Sequence, residues 1–266
     1  FYLLKELLKY DLDIVDCQNF PYIPCFVCKF YSLLKKKSLV ITWLETFDSG
    51  IIGLMEKICF RLTDKNLVFV DKFSDKLSEY LVIPAGIDLK KIRKVKNNKE
   101  RFDIIFVGRL IKDKGVDLLL RAVKDLNLEL CIIGDGPEKN NLINLANKLN
   151  LNASFKGFLD DDKEVYSYMK SSEILVLPSI REGFGIVVLE ALACGCKIIT
   201  TNYKNNNARF LVDEKFICEP NVTSLREKIK SGLNCNYSNK IRLEDFEIKA
   251  ISERIEKYYS RCVNEI

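Results

Sequence analysis

"REGFGIVVLEALACGCKIITTN", residues 181–202, sets Gly183 and Gly185 before an apolar run and closes on a β-branched one. The run Ile186–Cys194 predicts a helix buried over most of its surface. "KIITT", 197–201, predicts a strand covered on both faces. One residue breaks the apolar pattern. Glu190 is a second carboxylate after Glu182, inside a helix with no other charge. Carboxylates are rarely buried without a partner, so its presence there asks for one.

The alternation extends in both directions from this stretch. "FDIIFVG", "LELCIIG", "ASFKGF" and "EILVLP" read as strands. "VDLLLRAVKDL", a segment from about Pro137 to Leu149 and "DKEVYSYMKSS" read as the helices between them. Buried strands alternating with amphipathic helices indicate a parallel sheet with helices on both faces, an α/β doubly wound domain. Its ligands belong beyond the carboxyl ends of the strands. Upstream, "LDIVDC", "SLVITW", "NLVFVD" and "YLVIP" repeat the pattern more loosely. The expected division is a first α/β unit with linker over residues 1–95, a second over 96–243 and a helical tail over 244–266. The linker is "PAGIDLKKIRKVKNNKERF", rich in charge with a Pro and a Gly. Short asparagine runs at 97–98 and 205–207 are the only low-complexity features.

With 48% apolar and 30% charged residues, the 266-residue chain is a folded protein rather than a disordered one. A net charge of +5, with no long basic run, argues for a small anionic ligand and against nucleic acid. No stretch approaches the roughly 18 apolar residues that span a bilayer. The opening "FYLLKELLKYDLDIVD" lacks an initiating Met and a signal-peptide core, and reads as a start inside a domain, of a fragment or truncated frame. The ten cysteines fall mostly in apolar patterns, which suits buried thiols in a reducing cytoplasm. With no histidine, and only Cys25/Cys28 and Cys194/Cys196 closely paired, no metal site is expected.

The glycines at 183 and 185 let backbone amides approach a ligand, and the helix start adds orphan N–H groups and a positive dipole end. An anion fits there, although a bare Gly-x-Gly is also a common structural junction. An ionised Glu182 accepts hydrogen bonds only, as a sugar's hydroxyls require. At roughly 1.5 Å per residue, Glu190 lies about 9 Å along the helix. Two carboxylates flanking a phosphate-sized gap match a sugar, a diphosphate and a ribose in line; the alternative is a Glu190 that is merely half-exposed. "FVGRLIKDKG" adds Arg109 and Lys114 at the end of the first strand of this unit. Their fork and point charge suit phosphate.

The motifs "FVGRLIKDKGVDLLLRAV", "CIIGDGPEKNNL" and "FKGFLDDDKEVYSYMKSSEILVLPSIREGFGIVVLEALACGCKIITT" resemble the C-terminal domain of retaining glycosyltransferases of family 4. The resemblance runs through roughly residues 81–220. It implies the GT-B fold, α/β, with two Rossmann-like domains of parallel sheet facing a cleft and the N-terminal one incomplete. It implies transfer of a sugar from a nucleotide-sugar donor to a glycan or lipid-linked acceptor with retention, without cofactor or metal. The setting it implies is the cytoplasm, with possible peripheral contact at the membrane face. Residue by residue, Gly108, Arg109 and Lys114 meet the donor diphosphate, Glu182 the donor sugar and Glu190 the ribose. Gly183, Phe184, Gly185 and Ile186 offer amides to sugar and phosphates, and Phe158 and Leu159 lie near the base. Glu182, Arg109 and Lys114 are the residues implied for catalysis. Leu44 stands where the family commonly has a histidine at the reaction centre. That departure, with the incomplete acceptor-side domain, leaves two other outcomes: a noncatalytic nucleotide-sugar-binding protein, or an inactive truncated transferase. A sugar-nucleotide epimerase shares the fold. A dehydrogenase is disfavoured because "VGRLIKDKG" and "IGDGPEK" lack the G-x-G-x-x-G turn.

Overall fold

The computed structural model describes residues 2–18, 23–43, 58, 59, 61, 62, 65–69, 80–236 and 241–264. It divides into two compact units, residues 1–85 with 248–266, and residues 86–247.

The first unit is built on a parallel sheet in the order β1 (Ile14–Gln18), β2 (Ser38–Trp43), β3 (Asn66–Val68), β4 (Leu81–Val82). Side chains alternate across a strand, so β2 serves two cores. Leu39, Ile41 and Trp43 pack with Cys25, Cys28 and Tyr31 of helix α2 (Ile23–Lys35), which follows the short helix α1 (Tyr2–Leu7). Val40 faces the other way, with Leu67 and Ile83. That second face is covered by the C-terminal helix, residues Ile248–Asn264. Its stripe Ile251, Ile255, Tyr258 and Cys262 repeats every three or four residues, as an amphipathic helix requires. Polar bonds fix the docking: Tyr259 donates to Asp16 Oδ2 at 2.7 Å, and Ser38 donates to the Cys262 carbonyl at 2.5 Å. Of the tail expected as a separate segment over 244–266, residues 248–266 belong to the first unit, whose sheet their apolar stripe completes, and 244–247 to the second. The ten cysteines form no disulfide among the described residues, and eight of them are buried. Cys17, donating to Cys25 Sγ at 3.3 Å, has its thiol pushed up to about 12 by that bond and by burial.

The boundary falls between Ala85 and Gly86, earlier than the expected residue 95. The charged linker is in fact helix α3 (Leu89–Lys94), capped by Asp88, which accepts from Lys91 N at 2.8 Å. Leu89 and Ile92 are buried, and the Leu89 amide donates to Glu247 Oε2 at 3.1 Å, both within the second unit. Two buried apolar residues among the lysines were enough to make a packed helix of it.

The second unit holds β5 (Phe102–Val107), α4 (Val116–Ala122), β6 (Leu130–Ile133), α5 (Lys139–Lys148), β7 (Ala153–Gly157) and α6 (Asp162–Lys170). Then come β8 (Ser172–Leu177), β9 (Arg181–Glu182), α7 (Ile186–Cys194), β10 (Lys197–Thr201), β11 (Asn205–Asn206), β12 (Ile217–Cys218) and α8 (Val222–Leu233), and the C-terminal helix above is α9. The strands and helices predicted from alternation are all present. Six strands form one parallel sheet, β12-β10-β8-β5-β6-β7. From β5 the chain adds strands in one direction, through β6 to β7, then returns to place β8 on the other side of β5. The strand order therefore reverses between β5 and β8. A crevice opens at the carboxyl ends of two strands whose connections part in opposite directions, which is where ligands sit in such sheets. Among the described residues, no helix is long and apolar enough to cross a membrane.

Candidate donor site

Two turns meet at the β5/β8 switch point, residues 108–115 after β5 and 178–185 after β8. Leu110 is fully buried and anchors the first turn, its amide donating to the Asp135 carbonyl at 2.8 Å. A single 3₁₀ turn, Lys112–Lys114, ends on Gly115 at φ +63°. A Cβ at Gly115 would lie 2.4 Å from the Pro178 carbonyl oxygen, so the two turns touch backbone to backbone there. The Ile180 amide donates to the Asp113 carbonyl at 2.7 Å, and Arg181 lies 3.4 Å from Asp113 Oδ2.

This contact brings Lys114 and Glu182 together. Lys114 Nζ donates to Glu182 Oε1 at 2.6 Å, with both side chains largely out of solvent. Ser179, fully buried, donates to the same oxygen at 2.7 Å. Glu182 itself sits on β9, paired in parallel with β11. Behind it is a buried polar network that no local sequence pattern marks. Asn206 Nδ2 donates to Thr200 Oγ1 and to the Thr201 carbonyl, each at 2.9 Å, and Thr201 Oγ1 donates to the Ser179 carbonyl at 3.0 Å. Asn207 Nδ2 donates to the Gly183 carbonyl at 2.8 Å. The asparagine run read as low complexity is the brace of the glycine turn.

Helix α7 begins at Gly185, whose φ is +89° and whose Cβ would lie 2.6 Å from that of Ala208. No side chain with a Cβ fits there without movement. Glycine keeps the helix start bare, with its orphan amides and dipole directed at the switch point. Phe184 is buried with its ring 6.3 Å from that of Phe246, while Ile186 is exposed. Gly108 follows β5, and its amide donates to the Ile133 carbonyl at 3.0 Å. Arg109 beside it is exposed. Phe158, exposed, and Leu159, half-buried, follow β7 at the same end of the sheet.

Glu190 lies farther along α7, half-buried, and its bond goes to a residue not foreseen. Tyr166 of α6 donates to Glu190 Oε1 at 2.8 Å. Burial pushes the Glu190 carboxyl above the usual range, the Tyr166 bond and Lys91 oppose the shift, and Asp162 adds to it. Leu44 lies outside the described residues. A cavity of about 420 Å³ lined by Arg101, Asp103, Glu129 and Glu173 opens at the opposite, amino end of the sheet, away from these groups.

The family model for glycosyl transferases group 1 matches residues 88–257. The chain belongs to that family. It is 35% identical over 153 residues to the N-acetylgalactosamine-N,N'-diacetylbacillosaminyl-diphospho-undecaprenol 4-alpha-N-acetylgalactosaminyltransferase of Campylobacter jejuni, covering 55% of this chain and 41% of that one. It is 35% identical over 230 residues to the O-antigen biosynthesis glycosyltransferase WclY of Escherichia coli, covering 75% and 63%. To the UDP-Gal:alpha-D-GlcNAc-diphosphoundecaprenol alpha-1,3-galactosyltransferase of Escherichia coli it is 28% identical over 272 residues, covering 89% and 69%. The chain thus spans less than two thirds of the length of either of the first two relatives. The structure of Anabaena Alr3699/HepE in complex with UDP matches with a TM-score of 0.80 at 17% identity, covering 98% of this chain and 81% of that one. That likeness concerns the fold, which is α/β of the GT-B class with two Rossmann-like units.

Proposed function

We propose that this group 1 glycosyltransferase chain binds a nucleotide-sugar donor at the β5/β8 switch point. There it moves the sugar to a glycan or lipid-linked acceptor with retention of configuration, as in family 4. The observation that carries this reading is the contact of Lys114 with Glu182 beside the bare start of α7. A cation, a carboxylate and orphan amides within one crevice suit a ligand with a diphosphate flanked by hydroxyls. Glu182 accepts from the donor sugar, Glu190 from the ribose, and Phe158 and Leu159 border the base.

As the bond between the anomeric carbon and the phosphate oxygen lengthens, negative charge grows on the diphosphate. Lys114 and the amides at Gly185 and Ile186 are held in place before reaction, and with Arg109 they stabilise that charge. Positive charge comes from these groups, so the reading calls for no divalent metal. The acceptor oxygen bonds to the anomeric carbon on the face the phosphate leaves, and its proton passes to the departing phosphate oxygen. Glu182 already accepts from Lys114 and Ser179, which suits holding hydroxyls rather than attacking carbon.

A lipid-linked acceptor is favoured because two of the relatives above carry diphospho-undecaprenol or diphosphoundecaprenol in their names. Peripheral contact with the cytoplasmic face of a membrane follows from such an acceptor. The test is release of nucleoside diphosphate from a panel of nucleotide sugars, with and without undecaprenol-linked acceptors. Release that depends on acceptor, with an α-configured product from an α-configured donor, supports the reading. Inversion at the anomeric carbon contradicts retention. Nucleotide binding without transfer to any acceptor would leave a nucleotide-sugar-binding protein.

A further inference from the structure

Tyr166 is buried on α6. Its neighbour on the same helix, Tyr168, stacks near Phe102 with ring centroids 6.1 Å apart, and so serves the core. A buried phenol hydroxyl needs a partner. For Tyr166 that partner is the one carboxylate in the otherwise apolar α7: its hydroxyl donates to Glu190 Oε1 at 2.8 Å. An ionised carboxylate has about four acceptor sites on two oxygens. One bond to Oε1 restrains the group's rotation and leaves the acceptor sites of Oε2 to other donors.

We propose that Tyr166 is a positioning residue for the donor: its hydroxyl orients the Glu190 carboxylate to accept from the ribose hydroxyls. The proposal rests on the assignment of Glu190 to the ribose made above. Other charges bear on Glu190 from the elements packed around α7. Asp162 on α6 and Lys91 on α3 act in opposite senses, and these two pair with each other at 2.7 Å. Segments 207–211 and 243–246 also pack on α7, and their charged groups are engaged elsewhere. Arg209 donates to the Asn202 carbonyl, Glu244 pairs with Arg93, and Asp245 pairs with Arg242. Among the described residues, Tyr166 is therefore the hydrogen-bond donor to Glu190. Removing its hydroxyl lets burial act with less opposition, so the carboxyl protonates at higher pH and loses its acceptor capacity as pH falls.

The experiment is calorimetric titration of wild type, Tyr166→Phe, Glu190→Gln and the double variant. The probe is whichever of uridine, guanosine and adenosine diphosphate the wild type binds, alongside its 2′,3′-dideoxy counterpart. Tyr166→Phe keeps the ring and hence the packing. It should weaken the ribonucleotide severalfold, up to about tenfold for each unit the carboxyl rises, and more strongly as pH is lowered than as it is raised. The dideoxy ligand should not respond, and in the Glu190→Gln background Tyr166→Phe should change nothing. If Glu190→Gln weakens the ribonucleotide but Tyr166→Phe leaves both affinity and pH profile alone, the tyrosine only packs and the proposal fails while the ribose assignment stands. If Glu190→Gln itself leaves the ribonucleotide unaffected, the ribose assignment falls and takes the proposal with it.

Discussion

Lys114 Nζ lies 2.6 Å from Glu182 Oε1, joining the turn after β5 to the turn after β8 across the point where strand order reverses. The two side chains are only 15% and 10% exposed, so each charge relies on the other for compensation. Breaking such a pair from one side is costly, because it leaves a poorly solvated charge. Lys114→Met should therefore cost about 2 kcal/mol or more in chemical denaturation. Lys114→Met with Glu182→Gln should cost less than the sum of the two single changes, since no charge is then left alone. Strict additivity would show that the two residues do not depend on each other.

Gly115 and Gly185 are positions within the two turns where a Cβ does not fit. Both have left-handed backbone, and an added Cβ would lie 2.4 Å from the Pro178 carbonyl oxygen or 2.6 Å from Ala208 Cβ. Left-handed conformation alone costs an L-residue roughly 1–2 kcal/mol. Gly115→Ala and Gly185→Ala should each destabilise by more than that, measured by thermal unfolding, and should weaken nucleotide binding in whatever fraction remains folded. Wild-type stability in either variant would refute the backbone packing described for the two turns.

Glu190 gives a pH-dependent prediction. Its carboxyl is raised in the folded protein by burial. A folded state that binds the proton more tightly than the unfolded one gains stability as pH falls towards the ordinary carboxyl value, and loses it as pH rises through the folded value. At neutral pH the ionised group is thus a small liability to the fold. Glu190→Gln should be as stable as wild type or up to about 1 kcal/mol more stable near neutral pH, with the difference closing near pH 4.5. Unfolding curves at the two pH values decide it. A variant much less stable at neutral pH would make Glu190 a structural residue.

The parallel sheet of the second unit was legible because its strands are continuous apolar runs and its helices amphipathic, patterns with a direct physical meaning. Lys114 and Glu182 were legible for the same local reason: each lies in a turn at a carboxyl strand end. What stayed hidden depends on distant partners. Asn206 and Asn207 read as a polar run, because nothing local says that one lies under Thr200 and Thr201 and the other under Gly183. Nothing local marks the roles of Tyr166 and Ser179, since a hydroxyl's partner is set by tertiary packing. Helix α9 announced an apolar face but not which unit it would cover. Helix α3 was masked by its lysines, although Leu89 and Ile92 carried the needed spacing.

The central claim, that the β5/β8 switch point holds a nucleoside diphosphate, is tested most directly by calorimetric titration of nucleoside diphosphates into wild type and Arg109→Ala. Arg109 is exposed, so its loss should leave the fold intact. The account predicts wild-type binding that weakens as salt rises, as contacts to a charged diphosphate must. Arg109→Ala should lose about 1.5–3 kcal/mol of that affinity, the worth of a charge-assisted hydrogen bond. Equal binding by the two proteins, or affinity indifferent to salt, would contradict it.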